Sequence, residues 1–427
     1  MNDLPATLEG MLERIERRAP RARVELGLDR VRRVFDRLAP DLSATRIVSV
    51  AGTNGKGSTV AFLQHIADAA GIRSVAYTSP HILRFAERVR IDGEPASDDA
   101  LADALARVER ARGETPLTWF EHVTLAALTL AGDVRPDWLI AEVGMGGRLD
   151  AVNVLDADVA VITSIGLDHQ RWLGRTRAAI AREKCGIARA GRPVVVGEKR
   201  RPDGMTRHLQ RIGATALLAG RDFDWRWRRG SVDIDLGPDA GAARLANLRP
   251  GLPGRHQAAN AASAAAAASL LAPGPDRDAL VRGLERARLA GRFQRIARDP
   301  DVIVDVAHNP AAVRMLRSQL AGLPGRKLAV FAALDDKDVA GMVRALRGIM
   351  ARWFVAGLDA PRGLDAATLA ERVIAADAEA APEALESVAD ALAAARAHCG
   401  RGDLIVAFGS FLTAQAATAA YRPRRSD

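Results

Sequence analysis

Residues 48–66 read VSVAGTNGKGSTVAFLQHI, an apolar run that predicts a strand, then a glycine-rich turn, then an amphipathic helix. Gly52, Gly55 and Gly57 permit backbone angles closed to other residues, so that successive N–H groups can point at one anion. Lys56 adds a positive charge for the β- and γ-phosphates of a nucleotide. The strand–turn–helix context favours a phosphate-binding loop over a simple turn with a surface lysine. The loop departs from the common P-loop because Gly57, rather than a serine or threonine, follows the lysine.

Apolar strand candidates alternate with helical segments along the first half of the chain. The candidates are RIVSVAG (46–52), RSVAYTS (73–79), DWLIAEVG (137–144), DVAVITSIG (158–166) and RPVVVGE (192–198). This alternation predicts an α/β fold with a mostly parallel sheet covered by helices on both faces. Residues 217–248 change to short alternating segments such as SVDIDLG, which predict a small antiparallel β excursion.

A second alternation of strands and helices begins near residue 301, with DVIVDVAH, KLAVFAAL, RWFVAGL and DLIVAFGS as the strand candidates. It predicts a second α/β domain of the Rossmann-like kind. We therefore predict two domains, an N-terminal P-loop-type domain over residues 1–293 and a C-terminal domain over residues 300–427. A short linker over residues 294–299 joins them.

The composition is that of a globular protein, with 427 residues of which 48% are hydrophobic and 26% are charged. The sequence has no basic-then-apolar leader and no run of about 18 apolar residues, so we expect no membrane partner. Cys185 and Cys399 are too few for a disulfide framework, which favours a reducing cytoplasm. The net charge of +9 is spread along the chain, so anionic small-molecule substrates or a plain composition bias explain it better than nucleic-acid binding does.

Lysine is rare in this chain, and two of the lysines lie in candidate functional segments. Only five of the 61 basic residues are lysine, namely Lys56, Lys184, Lys199, Lys327 and Lys337. An ammonium is a compact point charge that can be deprotonated to act as a nucleophile, whereas a guanidinium does neither well. We therefore expect Lys56 and Lys184 to be present for chemistry that arginine cannot perform.

Polar side chains follow several of the predicted strands, at the sheet edge where ligands of parallel sheets gather. Ser79 lies at the carboxyl end of the second strand candidate, and Glu142 lies near that of the third. Asp168 and His169 follow the fourth, and Lys184 comes soon after. A hydroxyl, a carboxylate and an imidazole beside a triphosphate suit Mg²⁺. Histidine is an unusual Mg²⁺ ligand, so taken alone His169 more often has a hydrogen-bonding or core role, and Glu142 alone is structural as often as not.

Two further segments have both a structural and a functional interpretation. TWFE (118–121) places an aromatic pair at a predicted helix start, where the rings either join the core or stack on a flat ligand. DVAHNP (305–310) places polar residues at the carboxyl end of a strand, and a loop that simply turns at its proline explains them equally well. Arg292 lies at the predicted domain joint, from which we expect it to reach a nucleotide.

The ordered set of motifs resembles bacterial folylpolyglutamate synthase, in its bifunctional form with dihydrofolate synthase. In chain order the motifs are GTNGKGST, YTSPH, TWFE, EVGMGGRLDAVN, TSIGLDHQRWLG, REKCGI, HQAANAA, GRFQ, DVAHNP, DDKD and FGSF. The match covers almost the whole chain, and the ordered set is far more specific than any single motif. The resemblance implies a Mur ligase-like fold, and the Mur ligases' modified phosphate loop, with a residue between lysine and hydroxyl, fits Gly57.

The resemblance also implies roles for individual residues. An ATP-binding role falls on Gly52, Thr53, Asn54, Gly55, Lys56, Gly57, Ser58, Thr59, Asn260, Arg292 and Asp305. The family's metal ligands match Ser79, Glu142, His169 and Lys184, the last as a carbamate. Its pteroate-binding segments match Thr118, Trp119, Phe120, Glu121, Leu149, Asp150 and Ala151. The implied catalytic residues are Lys56, Lys184 and His308.

The implied activity is the ATP-dependent addition of L-glutamate to dihydropteroate and to the γ-carboxyl of tetrahydrofolate glutamate tails, through an acyl phosphate. The implied cofactors are ATP and two Mg²⁺ ions, with K⁺ as a further candidate. We expect dihydropteroate, tetrahydrofolates, L-glutamate and ATP as the small-molecule partners. We also expect no nucleic acid or membrane partner, and a cytoplasmic monomer.

Two other classes of protein share parts of this pattern. Another Mur-type amide ligase, such as a cell-wall peptide ligase, shares the modified loop. Because the loop begins near residue 52, we expect no room before it for a domain that binds a UDP-sugar. A P-loop switch or a nucleic-acid-dependent ATPase calls for a base-reading motif such as NKxD or for a clustered basic face, and the sequence has neither.

Overall fold

The computed structural model describes residues 4–21, 23–228 and 230–421. The chain packs into two compact units, of which the first runs to Ser79 and continues over Phe85–Arg288, and the second contains Pro80–Arg84 and the chain from Leu289. Pro80–Arg84 belong to the second unit because Ile82 is buried in that unit's core.

The helices and strands of the first unit include two short 3₁₀ turns near the proposed site, Phe85–Arg88 and Ala151–Val154, and a third at Pro238–Ala240. The helices are α1 (Leu8–Arg18), α2 (Asp29–Leu38), α3 (Lys56–Ala69), α4 (Asp98–Arg112), α5 (Trp119–Val134), α6 (Gln170–Leu173), α7 (Arg177–Cys185), α8 (Met205–Ile212), α9 (Gln257–Ala268) and α10 (Arg277–Arg286). The strands are β1 (Arg46–Ala51), β2 (Ser74–Tyr77), β3 (Val89–Ile91), β4 (Glu94–Pro95), β5 (Trp138–Glu142), β6 (Val159–Ile162), β7 (Pro193–Val196), β8 (Thr215–Leu218), β9 (Phe223–Arg228), β10 (Ser231–Leu236) and β11 (Arg244–Leu248).

The main sheet of the first unit has the strand order β4-β3-β2-β5-β1-β6-β7-β8. The six strands β2, β5, β1, β6, β7 and β8 are parallel to one another. The strands β3 and β4 form an antiparallel edge beside β2. A separate antiparallel sheet, β11-β10-β9, forms the predicted β excursion. Because β1 lies between β5 and β6, the loops that follow these three strands emerge side by side at one edge of the sheet.

The second unit is built on a six-stranded sheet with the order β12-β13-β17-β14-β15-β16. Its strands are β12 (Gln294–Ala297), β13 (Asp301–Val304), β14 (Lys327–Phe331), β15 (Arg352–Ala356), β16 (Glu383–Leu385) and β17 (Leu404–Phe408). Its helices are α11 (Pro310–Leu320), α12 (Val339–Ala345), α13 (Ala366–Ala376), α14 (Val388–Ala397) and α15 (Phe411–Ala420). The strands are parallel apart from β12, which pairs antiparallel with β13. The prediction of a two-domain α/β fold is confirmed.

The boundary between the units differs from the predicted one. Residues 289–293 belong to the second unit rather than the first. Most of the predicted linker, residues 294–299, is the strand β12 rather than a linker, because it makes ladder hydrogen bonds with β13. This edge strand has only four residues, which is too short for a hydrophobic pattern to reveal it.

The central position of β1 explains its apolar sequence. Residues 47–51 are buried, since helices cover both faces of the sheet around this strand. The helix α3 that follows is buried over most of its first three turns, which matches its weak amphipathic character. None of the helices in the described part of the chain is both long enough and apolar enough to span a membrane.

Candidate active site

The glycine-rich loop between β1 and α3 fits closely against its neighbours. A Cβ atom on Gly52 would lie 1.8 Å from the Thr163 Oγ1, and one on Gly55 would lie 2.3 Å from the Asn260 Oδ1. Gly55 also has a φ of +90°, in the left-handed region that favours glycine. Both positions therefore require glycine, Gly52 for space alone and Gly55 for space and backbone conformation.

Hydrogen bonds fix the first half of this loop to the segment that follows β6. The Thr53 amide donates to the Ser164 carbonyl (2.8 Å), and the Asn54 amide donates to the Ser164 Oγ (3.0 Å). The Gly166 amide donates to the Thr53 Oγ1 at 2.9 Å. The amides of Thr53 and Asn54 thus point into the protein, so the predicted anion cradle is narrower than the whole loop. It consists of the amides from Gly55 onward, which precede the first intrahelical bond of α3.

Two lysine side chains meet at the start of the loop. The Lys56 Nζ lies 3.3 Å from the Gly52 carbonyl oxygen, and the Lys184 Nζ lies 2.8 Å from the same oxygen. Lys184 is only 4% exposed. Burial and, as a smaller cause, the charge of Lys56 lower the pKa of Lys184 to about 7, while Asp168 and Asp150 oppose the shift. A large share of Lys184 is therefore a neutral amine near neutral pH, the form that can react with CO₂.

Candidate metal ligands lie on both sides of the loop. Glu142 ends β5, and its Oε2 accepts a hydrogen bond from the Ser79 amide (3.2 Å), which brings the two predicted ligands together. His169 follows β6, has a left-handed φ of 50° and donates its amide hydrogen to the Asp168 Oδ1 at 2.8 Å. Hydroxyl, carboxylate and imidazole donors at neighbouring strand ends fit Mg²⁺, which favours oxygen ligands and retains water. Within the described ranges, no three His, Cys, Asp or Glu side chains gather as metal ligands.

A cavity connects the phosphate loop with the lysine pair and with His169. It is bounded by the phosphate loop, by the glycine turn after β5 and by the segment after β6. Its lining residues are Gly52, Thr53, Lys56, Gly144, Met145, Gly146, Asp168, His169, Leu173 and Lys184.

The TWFE segment begins helix α5, and its two polar residues cap that helix. The Glu121 amide donates to the Thr118 Oγ1 (3.3 Å), and the Thr118 amide donates to the Glu121 Oε2 (2.8 Å), which is a capping box. Arg30 makes a bidentate ion pair with Glu121, with its Nη2 2.6 Å from Oε1 and its Nε 2.8 Å from Oε2. This pair ties the first turn of α2 to the start of α5.

The two aromatic residues of this segment have different surroundings. Trp119 is buried, with the guanidinium groups of Arg21 and Arg88 each 4.9 Å from its ring centroid. Phe120 packs on Gly144, where a Cβ would lie 2.4 Å from the ring. Since Gly144 lines the cavity, Phe120 is the aromatic residue of the pair that lies closer to it.

The turn that contains Leu149, Asp150 and Ala151 is closed by the Asp150 side chain. Its Oδ2 accepts from the Met145 amide (2.8 Å) and its Oδ1 accepts from the Val152 amide (3.0 Å). Burial raises the pKa of Asp150 to about 6, although these backbone hydrogen bonds act in the opposite direction. The Asp150 carboxyl group thus shapes the turn, and the Leu149 carbonyl accepts a long hydrogen bond (3.4 Å) from the Gly27 amide.

The second unit holds the remaining predicted residues in one group. The Asp305 carboxylate accepts hydrogen bonds from the Phe293 and Ala307 amides (2.9 and 2.8 Å), and burial raises the pKa of Asp305. The Arg292 guanidinium lies 5.5 Å from the ring centroid of Phe411, and the His308 ring lies 6.0 Å from the same ring. Phe411 was not among the predicted site residues. It follows β17, beside β13, so the rule that ligands gather at strand ends could have found it.

Comparison with known proteins places this fold and site in a class. Residues 50–268 match the Mur ligase middle domain, and residues 291–411 match the Mur ligase glutamate ligase domain. These matches define an amide ligase of the Mur type. The chain is 41% identical to the dihydrofolate synthase/folylpolyglutamate synthase of Escherichia coli, over 91% of this chain and 90% of that protein.

Solved structures agree with the sequence comparison. E. coli FolC in complex with DHPP and ADP superposes with a TM-score of 0.92 at 38% identity, covering 100% of both chains. A bifunctional folylpolyglutamate synthase/dihydrofolate synthase with Mn, AMPPNP and L-glutamate bound gives a TM-score of 0.88 at 38% identity, covering 98% of this chain and 99% of that one. The chain belongs to the dihydrofolate synthase/folylpolyglutamate synthase family of Mur ligases, and the predicted resemblance is confirmed.

Proposed function

We propose that this chain is an ATP-dependent ligase that joins L-glutamate to dihydropteroate and extends the glutamate tail of tetrahydrofolates through γ-carboxyl amide bonds. The main support for this proposal is that Lys56 and Lys184 both contact the Gly52 carbonyl oxygen. This oxygen belongs to a phosphate loop that is flanked by Glu142 and His169. This arrangement supplies positive charge, a modifiable amine and metal ligands at one edge of the sheet.

Amide formation requires activation because a carboxylate is a poor electrophile. Transfer of the γ-phosphoryl group of ATP to a carboxylate oxygen gives an acyl phosphate and ADP. The glutamate nitrogen then attacks the acyl carbon, phosphate leaves with the bonding electron pair, and the nitrogen releases a proton. Lys56 and the amides from Gly55 to Ser58 neutralise the charge on the transferred group, so that positioning and electrostatics supply the catalysis.

We assign Ser79, Glu142 and His169 as Mg²⁺ ligands. When bound, Mg²⁺ supplies charge neutralisation at the phosphate oxygens. Addition of CO₂ to the neutral Lys184 amine forms an N–C bond and releases one proton, so that an anionic carbamate replaces the neutral amine. This carbamate gives the site a ligand for a second Mg²⁺, whereas an unmodified ammonium would repel it. The K⁺ expectation stays a prediction.

The pteroate and nucleotide contacts complete the proposal. We assign Phe120 and the turn at 149–151 to the pteroate, with Thr118 and Glu121 holding that surface in place through their capping box. We assign Arg292, Asp305 and Asn260 to the nucleotide, and His308 keeps its predicted catalytic role. We further propose that the enzyme acts as a cytoplasmic monomer on these small molecules.

The test is an assay of the purified chain for ATP hydrolysis together with incorporation of labelled glutamate. Dihydropteroate is the first acceptor, and tetrahydrofolate or its 5,10-methylene form is the second. We expect one ADP for each amide bond with both acceptors, loss of turnover in Lys56→Ala, and normal turnover in the matched surface variant Lys199→Ala. Turnover with a UDP-linked acceptor instead would indicate a cell-wall ligase, and hydrolysis indifferent to every acceptor would indicate an ATPase of another class.

A further inference from the structure

Gln257 connects two proposed nucleotide-binding residues that are far apart in sequence. It is the first residue of α9 and is only 1% exposed. Its Nε2 donates to the Ser58 Oγ at 3.3 Å, and its Oε1 accepts from the Asn260 Nδ2 at 2.8 Å. Ser58 lies in the first turn of α3, and the Asn260 Oδ1 lies against Gly55 in the phosphate loop. One buried carboxamide therefore joins α9 to the phosphate loop through two side chains.

In the hydrogen bonds that link Ser58, Gln257 and Asn260, the donor and the acceptor of each bond are fixed. The Gln257 amide nitrogen can only donate, so the Ser58 oxygen accepts, and this leaves the Ser58 hydroxyl hydrogen available to another acceptor. With one Asn260 Nδ2 hydrogen given to Gln257, the Asn260 oxygen remains turned towards Gly55. A phosphate oxygen is an acceptor without hydrogens at neutral pH, and is therefore a suitable partner for the Ser58 hydroxyl.

We propose that Gln257 is a positioning residue for the nucleotide, which fixes the Ser58 hydroxyl as a donor towards phosphate and holds the Asn260 carboxamide against the loop. This inference rests on the proposed function, because it takes the phosphate loop to be the ATP site. It assigns a role to a glutamine for which the motif HQAANAA gave none. Gln257 acts through Ser58 and Asn260 rather than by touching the nucleotide itself.

The decisive variant is Gln257→Glu, which preserves shape but replaces the donor by an acceptor. The carboxylate would take the Ser58 hydroxyl hydrogen for itself and would repel the phosphates, so binding of ADP and AMPPNP should weaken about tenfold or more. Binding is measured by titration calorimetry on the full chain. The matched control is Gln64→Glu, a buried glutamine on α3 whose Nε2 has no hydrogen-bond partner among the described residues. We expect this control to keep its nucleotide affinity.

A second variant keeps the proposal testable if the buried carboxylate prevents folding. Gln257→Met is apolar and of similar length, so the chain should still fold, with a lowered Tm because the Asn260 Nδ2 loses its acceptor, and ADP binding should also weaken. A double-mutant cycle with Ser58→Ala identifies the route of the effect. If Gln257 acts through Ser58, the two losses in ADP affinity are not additive.

The outcomes separate this inference from the function beneath it. Failure of the parent chain to bind ADP would overturn the proposed function and the inference together. Normal ADP affinity in both Gln257 variants, beside a parent that binds ADP, would overturn the inference alone. Additive losses in the cycle would also overturn it, because they would show that Gln257 does not act through Ser58.

Discussion

Lys56 and Lys184 direct their ammonium groups at one acceptor, the carbonyl oxygen of Gly52, at 3.3 and 2.8 Å. Two cations on one carbonyl repel each other, and burial of Lys184 removes much of the water that would screen them. The arrangement becomes favourable once one of the two amines is neutral or is converted to an anion. Two of the five lysines in the chain therefore meet at this one oxygen.

Replacing Lys184 by arginine should abolish activity without unfolding the protein. An arginine retains a positive charge but cannot form the carbamate, so we expect turnover of glutamate to fall by a factor of about 100 or more. The matched control is Lys199→Arg, a surface lysine paired with Asp224 and stacked on Trp225. Its turnover should stay near that of the parent. Near-normal turnover in Lys184→Arg would refute the carbamate role.

Replacing Lys184 by methionine should stabilise the unliganded protein in CO₂-free buffer at pH 7. The pKa of Lys184 is about 7 in the folded protein, against 10.5 for an ordinary lysine in the unfolded chain, so folding disfavours the charged form. Between these values the unfolded chain binds more protons, and the stability of the parent therefore rises with pH from about 7 to 10.5. Below pH 7 the full cost of burying the charged Lys184 is present. The methionine removes this cost, so the free energy of unfolding should rise by a few kcal/mol, on the order of 1.4 kcal/mol per pKa unit.

Urea unfolding of the parent and of Lys184→Met across this pH range provides the measurement. The parent curve should climb towards pH 10, and the curve of the variant should be flatter over the same interval. A variant that is less stable than the parent at pH 7 would show that the buried amine is not a destabilising group.

Gly52→Ala should disrupt the phosphate loop, because the new methyl group would lie 1.8 Å from the Thr163 Oγ1. We expect a loss of about 2 kcal/mol or more in unfolding free energy, together with loss of ADP binding. The second-site change Thr163→Ala removes the clashing oxygen and should restore part of both. Gly71→Ala is the control, since a Cβ atom at this position would meet open space. Only the φ of +68° disfavours alanine there, at a cost of about 1 kcal/mol in unfolding free energy. Equal effects in the two alanine variants would argue against a packing requirement at Gly52.

Glu109→Gln should destabilise the first unit at neutral pH. Burial alone would raise the pKa of Glu109, but hydrogen bonds and charge from Arg112 and Arg18 prevail and lower it to about 2 from 4.5. These two ion pairs of Glu109 therefore contribute stability that is fully present above about pH 4.5 and is lost as the pH falls towards 2. At pH 7 this contribution is about 3.5 kcal/mol, at about 1.4 kcal/mol per pKa unit.

Acid and urea unfolding of Glu109→Gln test this contribution. Between pH 4.5 and 2 the free energy of unfolding of the parent should fall as Glu109 becomes protonated. The variant has no carboxyl group at this position, so its free energy of unfolding should fall less over the same interval. Asp133→Asn is the matched control, because Asp133 makes an exposed ion pair with Arg107 and should cost under about 1 kcal/mol. Loss of equal size in the two variants would contradict the role given to burial at Glu109.

The sequence by itself determined the phosphate loop, the α/β class and the family. Strand, glycine turn and helix lie within twenty residues around Lys56, and hydrophobic periodicity is a local property that the residues encode directly. The same periodicity located the central strands of both sheets. It missed β12, because an edge strand of four residues is defined by its partner strand rather than by its own pattern.

The tertiary structure decided which residues meet at the site. Lys184 reaches the Gly52 carbonyl from 132 positions along the chain, and Gln257 reaches Ser58 from 199. No local pattern encodes such contacts, since they depend on the order of strands in the sheet and on how helices pack across it. Only the folded chain shows that the amides of Thr53 and Asn54 point inward, because their acceptors belong to the segment after β6. The motif names the loop, and the packing of distant segments against it selects the atoms that face a ligand.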